Sequence, residues 1–388
     1  MSWYLTKGPE WDVVLSSRVR LARNLTDCSF PYRMTTKECS KVCDRIVKAI
    51  RASESQTQEK YMTLNMDSLP DADRQALVEK HLISDDLAKG GTGRCAMISQ
   101  DEAVSILVNE EDHIRIQVMS EGFSLAKVYR RAEAVAVALE RDLPIAYSEK
   151  YGFLTACPTN TGTGLRVSVM VHLPALTSSG RIKPLIDGLT QAGFAVRGYL
   201  GEHSQADGNI YQLSNQITLG ISETDILVGF ERMVREVMEL ERKLRSEIFE
   251  NNPMKISDRV YRSYGELLYA RMMTDVEAMK RISDLRLGIS LGILKEIDEE
   301  TMARLSSVIG TASIQKDSGE MLSPRLQEIH RAEKTRRLLE EAVKSLSPGN
   351  AEAGEATGDV GADKAPITKK PRASRKKKDP GNAGETKD

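Results

Sequence analysis

The segment from Trp11 to Leu25 contains the alternation Arg18-Val19-Arg20-Leu21. A strand sends successive side chains to opposite faces, so Arg18 and Arg20 share one face and Val19 and Leu21 the other. Two guanidinium groups side by side repel unless something anionic lies between them. The ordinary meaning of such a pair is a solvated charged edge. The functional meaning is a fork for phosphate oxygens.

A second stretch carries chemistry. Cys157-Pro158-Thr159-Asn160-Thr161-Gly162-Thr163-Gly164-Leu165-Arg166 lies between an apolar run (Tyr151 to Ala156) and a β-branched one (Val167 to Leu173). This reads as strand, glycine-bearing loop, strand. Glycines let a backbone approach a ligand closely, and exposed backbone N–H groups suit phosphate oxygens. Taken alone, a tight hairpin with a buried cysteine explains the stretch equally well.

Other strands are expected at Arg94 to Ser99, Val104 to Val108 and Ile114 to Met119, with Arg115 and Gln117 on a polar face opposite Ile114 and Ile116. The last two are joined by Asn109-Glu110-Glu111-Asp112-His113. Three neighbouring acids repel one another and are not expected in a core. They read as a surface turn or as a group facing a cation. Helices are expected at Glu38 to Ala52, Asp71 to His81, Glu121 to Asp142, around Ile182 to Leu189, and from Ser222 to Glu250. Cys39 and Cys43 read as packing residues. His81 reads as a surface residue, with a place near a nucleotide as the alternative. A strand at Phe194 to Arg197, a loop from Gly198 to Ser204 and an alternating run from Ile210 to Leu219 complete a sheet-bearing region.

From Pro253 the strand signal stops, and four or so helices are expected up to Leu346. Their core residues are Leu268, Met272, Met279, Ile282, Leu285, Leu287, Ile289, Leu291 and Leu294. After Ser347 apolar residues nearly vanish, which reads as a disordered tail with a basic run from Lys369 to Lys378. The domains are therefore read as 1–250 with sheet and helices, 253–346 helical, and 347–388 tail.

Composition excludes little else. The 388 residues carry a formal net charge of −1, which gives no global reason for nucleic acid or an anionic membrane as partner. The N-terminal residues lack the apolar stretch of a signal peptide. Five scattered cysteines without Cys-x-x-Cys read as reduced thiols in a cytoplasmic protein.

The candidate groups are Arg18 and Arg20, Glu111 and Arg115, Cys157 and Arg166, and Arg197 and Glu202. There is no Gly-x-x-x-x-Gly-Lys-Ser/Thr loop and no His-Arg-Asp or Asp-Phe-Gly signature, which excludes P-loop and ordinary protein-kinase architectures. Ser17-Arg18-Val19-Arg20, Asn109 to Arg115, Cys157-Pro158-Thr159-Asn160 with Arg166, and Arg197-Gly198 with Gly201-Glu202-His203 resemble the motif set of guanidino (phosphagen) kinases. Within that family the chain is most similar to bacterial protein arginine kinases of the McsB type, over most of its length to about Leu346. Creatine and arginine kinases have a helical domain ahead of the Arg-x-Arg segment. Here the helical domain is expected afterwards, as in McsB-type kinases.

The resemblance implies an α+β fold, a mostly antiparallel sheet flanked by helices, followed by an all-α domain. It implies ATP and Mg2+ as cosubstrate and cofactor, with the metal held by phosphate and water oxygens and by no protein ligand. Glu111 and Glu202 would clamp a planar guanidinium and one would accept its proton, beside a Cys157 thiolate whose pKa the nearby cations would lower. Arg18, Arg20, Arg115, Arg166 and Arg197, with His81, would hold the nucleotide. The implied partners are arginine-containing protein substrates, a zinc-binding activator protein, a Clp ATPase/protease, and a second copy through the helical domain. Marking proteins for that protease in a stress response would be the role. A kinase for free arginine or another small guanidine, and an inactive adaptor, are the alternatives. McsB-type kinases also carry Arg-Asp-x-x-Arg-Ala in an allosteric phosphoarginine pocket. Gln327-Glu328-Ile329-His330-Arg331-Ala332 matches it only in part, so the pocket at Glu328 and Arg331 is expected to be weak or absent.

Overall fold

Period-two alternation builds the sheet. The computed structural model describes residues 2–198 and 207–346. In chain order these form β1 (Val14–Arg23), α1 (Thr36–Thr57), β2 (Tyr61–Asn65), α2 (Asp71–Glu79), α3 (Asp85–Ala88), β3 (Cys95–Ser99), β4 (Val104–Val108), β5 (Ile114–Glu121) and α4 (Leu125–Asp142). Then follow β6 (Tyr147–Ser148), β7 (Gly152–Phe153), β8 (Leu165–His172), α5 (Pro174–Ser178), α6 (Ile182–Gln191), β9 (Phe194–Gly198), β10 (Ile210–Asn215) and α7 (Glu223–Asn251). The remaining elements are helical: α8 (Pro253–Tyr269), α9 (Asp275–Ser290), α10 (Glu299–Val308), α11 (Thr311–Ser318) and α12 (Pro324–Leu346). The tail beyond Leu346 lies outside the described residues.

Eight strands pair antiparallel in the order β2-β3-β4-β5-β1-β8-β10-β9. The register places Val19 opposite Val118 and Val167, and Leu213 opposite Val169. This face is the main core, closed by Ile46 and Ile50 of α1, Ala132 and Val135 of α4, and Phe230 and Val234 of α7. α1 starts on a capping box in which Thr35 and Glu38 satisfy each other's backbone N–H groups. The opposite face splits in two. Over β3 and β4, Ala96 and Leu107 are covered by Leu82 and Leu87 from the α2–α3 region. Over β1, β8, β10 and β9 that face carries charge.

The helical segment has its own core, with Val260, Leu267, Ile282, Leu285, Met302, Leu305 and Leu339 buried. Ile248 near the end of α7 packs against both cores, so α7 joins them. The helices after Pro253 number five among the described residues, because Gly310 separates α10 from α11. Met272, expected in the core, is 41% exposed: it lies in the turn between α8 and α9. The run from Tyr151 to Ala156 is also not a strand of the main sheet. Gly152 and Phe153 pair with β6, and Phe153 also bridges Gly162 within the loop, so the Cys157 stretch folds back on itself there but forms no ladder with β8.

A buried ion pair fastens α7 beneath β8. Glu241 accepts from Ala175 N at 3.0 Å and Leu176 N at 2.9 Å, capping α5. Arg245 Nε donates to Glu241 at 2.7 Å, and its other nitrogens donate to the carbonyls of Asp12 and His172. Glu241→Ala leaves Arg245 buried without its carboxylate. A loss of about 3–5 kcal/mol is expected, readable as a lower urea midpoint at unchanged slope.

Candidate active site

Register brings the arginines together. Arg20 faces Gln117 on one side and Arg166 on the other. Arg18 lies two residues along on the same face, opposite Ser168, and Arg197 stands opposite Gln212 on β10. Arg115 is two residues from Gln117. All five therefore project from one sheet face, across four of its strands.

Few acids answer them among the described residues. Arg18 donates to neutral acceptors, Gln212 Oε1 at 2.7 Å and Ser168 Oγ at 3.2 Å. Burial, then repulsion from Arg166, Arg115 and Arg197, lowers its pKa to about 10. Arg20 is lowered well below its ordinary value, first by burial and then by Arg18, Arg115 and Arg166. Its Nε is buried without a hydrogen-bond partner. Arg115 is the exception: its Nη1 bonds Glu110 at 2.8 Å and its Nη2 bonds Glu111 at 3.3 Å.

His81 is half-buried rather than a surface residue. Gln117 Nε2 donates to its carbonyl at 2.6 Å and holds it in a left-handed turn at φ 57°. It lines a cleft of about 640 Å³ together with Arg18, Arg20 and Arg197. Burial, followed by the charge of Arg18, lowers its pKa to about 4.

The acid triplet divides its work. Glu110 is buried against Arg115 and accepts the Ser84 hydroxyl. Asp112 is fully buried and accepts from Asn24 Nδ2 at 2.6 Å and Ala156 N at 2.7 Å. The expectation that none of these acids is core fails for both, because each has donors waiting inside. Only Glu111 stands exposed. Its pKa is raised, mainly by partial desolvation, with Arg115 pulling the other way and Asp112 and Glu110 adding to the rise. A raised carboxylate is a better proton acceptor near neutral pH.

Asp112 also ties this turn to the loop carrying Cys157, since Ala156 is its neighbour. Cys157 is half-buried, with Sγ 3.0 Å from Thr159 Oγ1. The loop rests on Thr218, whose one hydroxyl proton is shared between the carbonyls of Thr159, 2.9 Å from Oγ1, and Thr161, 2.8 Å from it. Gly162 is required there: a Cβ would stand 2.1 Å from Thr218 O, and φ is +116°. Glu202 lies outside the described residues. Glu328 and Arg331 belong to α12 and are not among the residues lining this cleft. Arg331 is buried and donates to the carbonyls of Ile309 at 2.7 Å and Met273 at 2.9 Å and to Thr311 Oγ1 at 3.1 Å, while Gln327 donates to Leu322 O. Asn24, Asp112 and Gln212 position the site and were not singled out from sequence, whereas Gln117 was placed on the polar face beside Arg115 without a role. Asp112 was visible only as part of an acidic run, and Gln212 only as a polar residue in an alternating strand.

A row of cations on an antiparallel sheet, with an acidic lip and a thiol loop beside it, is the layout of a phosphotransferase acting on guanidino groups. Residues 41–244 match the ATP:guanido phosphotransferase C-terminal catalytic domain, and residues 253–350 match the protein-arginine kinase McsB C-terminal domain. The chain is 45% identical to the protein-arginine kinase of Caldanaerobacter subterraneus over 83% of this chain and 95% of that one. It is 42% identical to that of Bacillus subtilis over 85% and 91%. Among solved structures it resembles the duplicated taurocyamine kinase of Schistosoma mansoni (TM-score 0.55, 28% identity, 61% of this chain and 34% of that one). A lombricine kinase shares the fold at TM-score 0.54 and 23% identity, over 62% of this chain and 69% of that one. The chain belongs to the protein-arginine kinase family.

Two outcomes follow from the geometry. Asp112→Ala frees the Cys157 loop, and phosphoryl transfer is expected to fall about 100-fold with ATP affinity nearly unchanged, since a displacement of order 1 Å has that cost; steady-state kinetics beside ATP titration read it. The second concerns pH. Folded His81 takes up its proton near pH 4, whereas an unfolded histidine does so near 6.5. Between those values the unfolded chain binds more protons, so stability falls as pH falls through the window. The drop in urea midpoint from pH 7 to pH 5 should be smaller in His81→Asn than in the wild type.

Proposed function

We propose that the protein transfers the γ-phosphoryl group of ATP to arginine side chains in proteins. The observation that carries this reading is the sheet face on which Arg18, Arg20, Arg115, Arg166 and Arg197 converge beside Glu111. Phosphoryl transfer asks for positioning and charge stabilisation more than for covalent chemistry, and a row of guanidinium groups supplies both. The donors on this face are cations, which suit phosphate oxygens, so Mg2+ would arrive with the nucleotide and rest on phosphate and water oxygens.

Glu111 is the group that meets the acceptor. Its carboxylate already holds one planar guanidinium, that of Arg115, at 3.3 Å. A substrate arginine would present the same planar donor edge, and exchanging partners would leave Arg115 to the phosphates. Glu111, with its raised pKa, then accepts the proton as the N–P bond forms. Glu202 would clamp the other side, and Cys157 would contribute negative charge near the acceptor. Protein rather than free arginine is favoured by the similarity to curated protein-arginine kinases along most of the chain, helical segment included.

The finer parts of the reading are marking of substrates for a Clp protease, control by a zinc-binding activator, action in the cytoplasm and self-association through the helices. They rest on family resemblance. A weak phosphoarginine pocket at Glu328 and Arg331 is in keeping with Arg331 donating to three protein oxygens and Gln327 to a fourth.

Incubation with MgATP and either casein or free arginine, followed by mass spectrometry under non-acidic conditions, tests the activity. Phosphoarginine is expected on casein, and Glu111→Gln should lower its yield at least 100-fold, in the range of a lost general base. Phosphorylation of free arginine alone would reject the protein-kinase reading.

A further inference from the structure

The Cys157 loop is a closed ring. Phe153 N donates to Gly162 O at 2.7 Å and Gly162 N donates to Phe153 O at 3.2 Å, so these two residues clasp its neck. The backbones meet with no side chain between them, since a Cβ on Gly152 would stand 2.4 Å from Gly162 O. Inside the ring the hydroxyls of Thr155 and Thr161 lie 3.0 Å apart, and Thr155 Oγ1 donates to Cys157 O at 2.7 Å. Cys157 lies midway round, between the two halves of the neck. A ring braced within itself keeps its shape. What remains to be fixed is its tilt at the neck.

Arg23, the last residue of β1, lies against that neck. Its Cζ is 3.4 Å from the centre of the Phe153 ring, a guanidinium stacked on an aromatic face. Its Nη1 donates to Thr163 O at 3.3 Å, one residue beyond Gly162, and to Ala22 O at 3.0 Å. One side chain thus touches both halves of the neck. Its Nε donates to Glu140 of α4 at 3.1 Å. Burial lowers the pKa of Arg23, and the hydrogen bond and charge of Glu140 oppose that shift.

The place of Arg23 in the sheet makes these contacts informative. Alternation along β1 puts it on the core face with Val19 and Leu21, and it is only 5% exposed. An apolar side chain would continue that stripe without desolvating a charge. The arginine brings instead a planar fork that meets the loop. The other supports grip the ring elsewhere. Asp112 holds Ala156 N beside the thiol, and Thr218 holds the carbonyls of Thr159 and Thr161. Arg23 acts at the base. It also belongs to the strand that displays Arg18 and Arg20 on its other face, so the seat of the thiol loop and part of the cation row share one rigid element.

We propose that Arg23 is a positioning residue for phosphoryl transfer: stacked on Phe153 and bonded to Thr163 O, it sets the tilt of the ring and hence the place of Cys157 Sγ relative to the acceptor guanidinium. The inference rests on the reading that Cys157 faces the acceptor beside Glu111. Arg23 meets neither substrate nor nucleotide in this account and acts through the loop alone. A lysine would keep the charge towards Glu140 and lose the flat group that stacks and donates at once.

Arg23→Lys and Phe153→Leu are compared with the wild type in three measurements on the full chain. These are the rate of casein phosphorylation at saturating MgATP, ATP affinity by calorimetric titration, and the rate at which iodoacetamide alkylates Cys157, read by mass spectrometry of its peptide. Each substitution is expected to slow phosphorylation about tenfold or more, short of the roughly 100-fold cost of a full 1 Å displacement. ATP affinity should stay within about twofold, and Cys157 alkylation should change about threefold or more. A residue that only holds the fold would lower the melting temperature and move none of the three in protein that is still folded, which overturns the proposal. A fall in phosphorylation with Cys157 alkylation unchanged also overturns it, because the loss then does not pass through the loop, and so does an equal fall in ATP affinity. Should Arg23→Lys fold poorly by thermal melt, Phe153→Leu carries the comparison, since it keeps apolar bulk and removes the face on which the guanidinium stacks. Wild-type protein that leaves casein unphosphorylated would overturn the function reading instead, and the alkylation rates would still decide whether Arg23 seats the loop.

Discussion

Like-charge repulsion on one sheet face is the constraint around which the rest is arranged. Arg20 and Arg166 are direct cross-strand partners, and Arg18 projects beside them. Two unit charges about 6 Å apart at an effective dielectric of 20 repel by about 3 kcal/mol. Like charges directly opposite on neighbouring strands are destabilising, and burial adds to the penalty. The lowered pKa values of Arg18 and Arg20 record the same cost in another form. A chain under selection for stability alone would place a carboxylate there. Here the acceptors offered to Arg18 are a glutamine and a serine, which satisfy hydrogen bonds without cancelling charge.

The fold tolerates this because the opposite face is mostly apolar, with Ser17, Arg23, Ser120 and Asn215 the buried polar exceptions, and is held by three helices. Val19, Val118, Val167, Val169 and Leu213 are all buried, and α1, α4 and α7 cover them. Stability is supplied on one side of the sheet and charge is displayed on the other. The available carboxylates are kept to the edge. Glu110 neutralises Arg115 from inside, Asp112 is turned to structural use, and Glu111 alone reaches the surface. The helical segment approaches the same cleft through α9, and through α11, whose first N–H groups at Ala312 and Ser313 are capped by Glu79 two residues from His81. Sheet and helices therefore line one cleft.

Much of the fold was legible because period-two alternation survives in β1 and β5, and because short apolar or β-branched runs mark β3, β4 and β8. The cation row was legible for the same reason: alternation put Arg18 with Arg20 and Arg115 with Gln117 before any register was known. What could not be read was pairing. That Arg20 faces Arg166 across 146 residues of chain is a tertiary fact. The acid triplet misled because burial of Glu110 and Asp112 depends on donors from Arg115, Asn24 and Ala156, which no local pattern announces. The apolar run from Tyr151 to Ala156 looked like a strand, yet it serves as an anchor for the Cys157 loop through Asp112. His81 looked exposed because its burial comes from Gln117 and the cleft, not from its own helix. The family motifs carried what periodicity could not, namely which arginines and acids act together.

If the arginine row is a seat for ATP bought at the expense of stability, removing one charge should relieve the empty protein. The direct test is the thermal midpoint of wild type and Arg20→Gln, each with and without saturating MgATP. The account predicts that without nucleotide Arg20→Gln melts at or above the wild-type temperature, and that the rise on adding MgATP is large in the wild type and mostly lost in the variant. An Arg20→Gln protein that melts several degrees lower without nucleotide, yet keeps the full rise with it, would show an arginine that holds the fold and not the phosphates.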